Sequence, residues 1–155
     1  MTVTRHATHR TVAALLTTAL ALLAVPASST YAATAAPRRG GPVSLVNEQS
    51  GECLQLDGNG EARTAGCDSG GVRSWLIAGD GLLQDTADGT CLEEVEGGRV
   101  VAQPCQEGNP AQQWQPKAQH FANQATGGCL TAWDGRVASF GCDAASSYQK
   151  WRTEQ

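Results

Sequence analysis

Three times along this chain, at intervals of 38 residues, the same punctuation returns. Cys53, Cys91 and Cys129 open it, each followed by a leucine: Leu54, Leu92, Leu130. Gly51, Gly89 and Gly127 stand two residues before, and Asn47, Asp85 and Asn123 six before. Leu45, Leu83 and Phe121 stand eight before. A second cysteine follows after 14, 14 and 13 residues (Cys67, Cys105, Cys142), and a tryptophan 8, 9 and 9 residues later (Trp75, Trp114, Trp151). A period of this length means that one supersecondary unit is repeated, and that the units bury a shared core that none could form alone.

Within each unit the pattern predicts four short strands. They are expected at 43–46, 52–56, 63–66 and 74–78; at 82–85, 90–95, 99–103 and 113–115; and at 121–123, 128–133, 136–140 and 149–152. Gly, Asn and Asp clusters separate them, as at Asp57-Gly58-Asn59-Gly60, Glu96-Gly97-Gly98 and Asp134-Gly135. Strands at this spacing indicate an all-β barrel or sandwich, closed here by three units around one core. Six cysteines allow 15 pairings, and sequence alone does not choose among them. If the units are built alike, each has its own bridge: Cys53–Cys67, Cys91–Cys105 and Cys129–Cys142. Metal binding by six thiolates is the competing reading. It is disfavoured because no Cys-x-x-Cys occurs and an exported chain favours oxidation.

Export is expected from the first 35 residues. A basic start (Arg5, His6, His9, Arg10) precedes an apolar run from Thr11 to Val25, broken by Pro26, with small residues around Ala32 and Ala35. This reads as a secretory signal peptide cut after residue 32 or 35, the run being short of the roughly 20 residues that span a bilayer. Residues 36–41 form a flexible lead-in, and residues 42–155 one domain with repeats at about 42–80, 81–118 and 119–155. Residues 36–155 carry nine basic and 15 acidic side chains, a formal charge of −6, which argues against a nucleic-acid binder. Ile, Leu, Val and Phe make up only 18 of those 120 residues, while Gly makes up another 18. That content is thin enough to suggest disorder, but for the tryptophans and cysteines in phase.

Three units of about 38 residues, each with Cys-Leu, a second Cys and a closing Gln-x-Trp, resemble the ricin B-type lectin domain. The motif reads Gln112-Gln113-Trp114 and Gln149-Lys150-Trp151, while the first unit has Arg73-Ser74-Trp75 and loses the Gln. The resemblance covers residues 42–155. It implies a β-trefoil: a six-stranded barrel closed by three hairpins with pseudo-threefold symmetry, one disulfide per repeat, and Trp75, Trp114 and Trp151 in the core. It also implies that the motif Gln supports the neighbouring loop, and that each unit has a shallow sugar pocket.

A sugar pocket of that family sets an Asp two residues after the first Cys, an aromatic platform two before the second, and an Asn before the motif Gln. The chemistry is a carboxylate accepting paired hydrogen bonds from sugar hydroxyls, and an aromatic face covering the C–H side of the ring. Here the Asp position holds Gln55, Glu93 and Thr131, the platform position Ala65, Gln103 and Phe140, and the Asn position Val72, Ala111 and Tyr148. The first unit therefore reads as structural. The second keeps Glu93, Gln103 and Gln112. The third is the best candidate, with Thr131, Trp133, Asp134, Phe140, Tyr148 and Gln149. Trp133 and Phe140 each have a bland alternative, covering a barrel end or filling the core, and Glu93 could belong to a solvated acidic face with Glu94 and Glu96.

These residues predict a secreted, metal-independent, carbohydrate-binding module without cofactors. Its partner would be a carbohydrate or glycoconjugate, with no nucleic acid and no membrane after signal cleavage. The alternative is a trefoil whose sugar sites have decayed and which binds a protein or inhibits a protease. Catalysis has no positive feature: the only histidine after residue 35 is His120, and there is no Gly-x-Ser-x-Gly. The stretch 57–61 resembles the start of a calcium loop but lacks its Gly and its closing acid, so a hairpin turn is expected there.

Overall fold

The computed structural model describes residues 40–68 and 74–155. The signal-peptide segment, Val72 and Arg73 lie outside the described residues. Twelve strands run in chain order: β1 (Ser44–Asn47), β2 (Cys53–Leu56), β3 (Ala62–Ala65) and β4 (Trp75–Ile77) in the first repeat. β5 (Leu83–Asp85), β6 (Cys91–Val95), β7 (Arg99–Gln103) and β8 (Trp114–Lys117) make the second. β9 (His120–Asn123), β10 (Cys129–Trp133), β11 (Arg136–Phe140) and β12 (Trp151–Glu154) make the third.

Six of these strands close a barrel. β12 pairs with β1, β4 with β5 and β8 with β9, all antiparallel. The seams between these pairs are closed by the Val43–Trp75 and Leu82–Gln113 bridges and by Trp151 N donating to Gln119 O at 2.8 Å. The other six strands form three hairpins, β2–β3, β6–β7 and β10–β11, which pair with one another. A closed barrel capped by three hairpins is a β-trefoil. Closure also removes exposed sheet edges.

Repeat-phased residues fill the core. Leu45, Leu83 and Phe121 are buried with Leu54, Leu92 and Leu130 and with Trp75, Trp114 and Trp151. Each tryptophan brings a large apolar surface and one N–H that must find a partner. Trp75, Trp114 and Trp151 Nε1 donate to Leu54, Leu92 and Leu130 O at 3.1, 2.9 and 2.9 Å. The core phase and the Cys-Leu phase are thus tied by one bond used three times. The disulfides are Cys53–Cys67, Cys91–Cys105 and Cys129–Cys142, one per repeat.

Eight expected strands begin later than the sequence suggests, seven by one residue and β12 by two. The strands expected from 113 and 149 start at Trp114 and Trp151, because 3-10 turns at Pro110–Gln112 and Ser147–Gln149 precede them. Asn109 caps the first turn by accepting from Ala111 N at 3.0 Å, and Pro110 needs no donor at its start. Residues 57–61 form the expected turn. Asp57 Oδ1 accepts from Asn59 N at 2.8 Å and Glu61 N at 2.9 Å.

Candidate functional site

The 3-10 turns carry the motif glutamines inward. Gln112 is fully buried. Its Oε1 accepts from Gln106 N at 2.8 Å, and its Nε2 donates to Pro104 O at 3.0 Å and Glu93 Oε2 at 2.7 Å. Gln149 repeats this: Oε1 accepts from Asp143 N at 2.7 Å, and Nε2 donates to Gly141 O at 3.0 Å and Thr131 Oγ1 at 3.1 Å. One amide therefore clamps both sides of the loop at the second cysteine and reaches the side chain two residues after the first. Replacing Gln112 by Ala removes three part-buried hydrogen bonds, to Gln106 N, Pro104 O and Glu93, and empties a fully buried position. The expected cost is about 1–3 kcal/mol, read from urea unfolding.

The first repeat solves the same problem differently. Gln55, 4% exposed, turns its own Nε2 onto Gly66 O at 3.3 Å, the carbonyl equivalent to Pro104 and Gly141 O. The side chain that would face a ligand is folded into the loop-clamping role, which holds this loop in a repeat that lacks the motif Gln.

In the second repeat, Glu93 lies beside a donor that spacing alone does not reveal. Asn109 Nδ2 is 3.5 Å from Glu93 Oε2, although Asn109 sits three residues before the motif Gln rather than one. The Asn-Pro pair that starts the turn was the available signal. Gln103 is exposed at the end of β7, opposite Cys91.

In the third repeat, strand register orders the candidates. Opposed residues of an antiparallel pair share a face, as do residues two apart. Trp133 opposes Arg136, Thr131 opposes Ala138 and Cys129 opposes Phe140, so Thr131, Trp133 and Phe140 share a face. Thr131 lies between the two aromatics. Trp133 and Phe140 are four register steps apart, roughly 13 Å. Thr131 is nearly buried, and its hydroxyl donates to Cys129 O at 2.8 Å while accepting from Gln149. Phe140 is 55% exposed, Tyr148 42% and Trp133 68%, so neither Trp133 nor Phe140 fills the core. Asp134 is in the two-residue turn at the hairpin tip, with φ 53° ahead of Gly135 at φ 72°, the conformation of a tight type I′ hairpin. The structure thus gathers Thr131, Phe140 and Gln149, with Tyr148 adjoining Gln149 in the chain, and sets Trp133 and Asp134 at the other end of the hairpin. The main-chain carbonyl of Tyr148 is held by Asn47 Nδ2 at 2.9 Å, which ties the last 3-10 turn to the first repeat.

Among the described residues, no group of three His, Cys, Asp or Glu is placed to hold a metal, and no helix is long and apolar enough to cross a membrane.

A barrel capped by three hairpins, with a motif-glutamine clamp in its second and third repeats, is a β-trefoil. Residues 41–151 match the family model of the ricin-type β-trefoil lectin domain, and the chain belongs to that family. No curated protein matches the chain. Among solved structures, it is similar to the hemolytic lectin CEL-III (21% identity, TM-score 0.63), covering 74% of this chain and 32% of that one. It is also similar to the C-half of an earthworm R-type lectin in complex with GalNAc (14% identity, TM-score 0.63; 74% and 98% covered). A third is the β-trefoil lectin of the Vibrio vulnificus hemolysin/cytolysin with N-acetyl-D-lactosamine bound (18% identity, TM-score 0.62; 72% and 92% covered). At these identities the likeness is one of fold. The chain spans about a third of the hemolytic lectin.

Proposed function

We propose that the protein is a secreted, non-enzymatic carbohydrate-binding module that works without a metal and whose principal sugar contact lies in the third repeat. The observation that carries this reading is the placement of the aromatics. Among the described residues, the exposed large hydrophobic side chains are Trp133, Phe140 and Tyr148, and all belong to one repeat. Phe140 offers the apolar face for a sugar ring. Tyr148 supplies a hydroxyl, Thr131 the polar floor, and Gln149 holds the floor in place. Trp133 and Asp134 extend the same hairpin for a second sugar residue. Glu93, braced by Gln112 and Asn109, makes the second repeat the next candidate, with Gln103 at its edge. The first repeat is structural. Secretion is supported by the signal-like residues 1–35 and by three disulfides.

A broad glycan array followed by titration calorimetry tests this reading. Binding to at least one neutral glycan is expected, with Phe140→Ala weakening it about tenfold, the loss of one stacking contact. A clean array across neutral glycans and polysaccharides sinks it. A second reading, a protein partner, is favoured by the same exposed aromatics together with a Thr131 hydroxyl already engaged on both sides. Capture of a stoichiometric protein that free sugars do not displace would replace the lectin reading.

A further inference from the structure

The three hairpins meet around the pseudo-threefold axis. Arg136 opposes Arg63, Ala138 opposes Arg99, and Val101 opposes Glu61. Counted from the second cysteine of each repeat, every such contact joins the residue six before it to the residue four before it in another repeat. The residues five before it, Ala62, Val100 and Val137, are buried. Together they line a concave cavity of about 440 Å³, and Arg63, Arg99, Arg136, Asp57 and Glu61 stand around it. That volume suits a single small ligand.

The charges around this cavity are uneven. Arg99 is paired with Glu61 at 2.5 Å. Asp57 is held below the ordinary carboxylate range, first by the Glu61 N–H, then by the Asn59 N–H, with Arg63 adding to the effect. The Arg136 side chain makes no hydrogen bond or ion pair to any described residue. It also faces Arg63 directly across the strands. Like charges in opposed positions are destabilising; Asp57 answers Arg63 but nothing among the described residues answers Arg136, and such an uncompensated charge is where a ligand is to be sought. Guanidinium groups suit an oxyanion because their donors match its geometry in pairs. Next to Arg136 in the same cross-strand row stands Trp133, 68% exposed, an apolar face for a sugar ring. The −6 charge of residues 36–155 disfavours a polyanion and leaves room for one small acidic group.

We infer that the cap cavity is a second binding site, for the carboxylate or sulfate of an acidic saccharide, held between Arg136 and Arg63 with the ring toward Trp133. It shares Trp133 with the far end of the third-repeat hairpin but not Phe140, roughly 13 Å away, and stands whether or not Phe140 binds neutral sugar. Amide chemical-shift titration of the full domain tests it with glucuronic acid, glucose 6-sulfate, glucose and inorganic sulfate. Both acidic sugars are expected to shift Gly135, Arg136 and Val137. Arg136→Gln should weaken them at least tenfold, and so should Arg63→Gln, which serves if the first variant does not fold. Arg152→Gln, a charge removed from β12, should leave them unchanged. Equal binding of glucose, or undiminished binding in both folded cap variants, overturns the site. Inorganic sulfate binding as tightly as glucose 6-sulfate overturns its assignment to a saccharide.

Discussion

Reducing all three disulfides is expected to unfold this domain without any denaturant. The bridges close loops of 14, 14 and 13 residues, each worth roughly 3 kcal/mol in the chain-entropy picture. Together they amount to about 9 kcal/mol, against the 5–15 kcal/mol by which folded proteins exceed their unfolded chains. The rest of the molecule has little in reserve. Its core rests on six threefold-related aliphatic or aromatic side chains, three tryptophans and a few alanines and valines. Each bridge also fixes the end of a cap hairpin, so the loss falls on all three repeats at once. Far-ultraviolet circular dichroism and tryptophan fluorescence in a strong reductant should show collapse of the native signal at 37 °C. Retention of the native spectrum, with six free thiols confirmed by mass, would show that barrel packing alone sustains the fold.

Trp114→Ala should cost about 3–5 kcal/mol, the range for deleting a large buried aromatic. Trp114 is fully buried, and its indole N–H satisfies Leu92 O, so the substitution opens a cavity and strips a buried carbonyl of its donor. Trp133→Ala is the matched comparison. Trp133 is the tryptophan that falls out of the 38-residue phase and is 68% exposed, so its removal should change stability by no more than about 0.5 kcal/mol. Urea midpoints of the two variants measure the contrast. Similar losses in both would mean that repeat phase does not separate core from surface in this fold.

That contrast shows how far the repeat reads into three dimensions. A position that recurs three times in phase must do the same job in three places, and the job that every repeat shares is packing against the common axis. Leu45, Leu83 and Phe121, the Cys-Leu pairs and the three in-phase tryptophans were therefore legible as core, and the strands followed within a residue or two. The late starts of β8 and β12 were not, because a 3-10 turn and an extended segment draw on the same residue types until the cap at Asn109 is seen to close. The candidate site was legible as a set of residues but not as an arrangement. Nothing in the spacing tells that Gln55 folds back onto Gly66 O, that Asn109 reaches Glu93, or that Trp133 and Phe140 sit at opposite ends of one hairpin face.

By itself, the sequence determined the repeat, the four-strand unit and the tryptophan core. These depend on contacts close in the chain or repeated by symmetry. Tertiary structure alone decided how the hairpins of different repeats register against each other. Arg63 and Arg136 are 73 positions apart and carry no shared periodic signal, yet closure of the barrel brings their strands together. Register between distant strands is set by the geometry of closing the whole ring, which is a property of all three repeats at once and of no single stretch of chain.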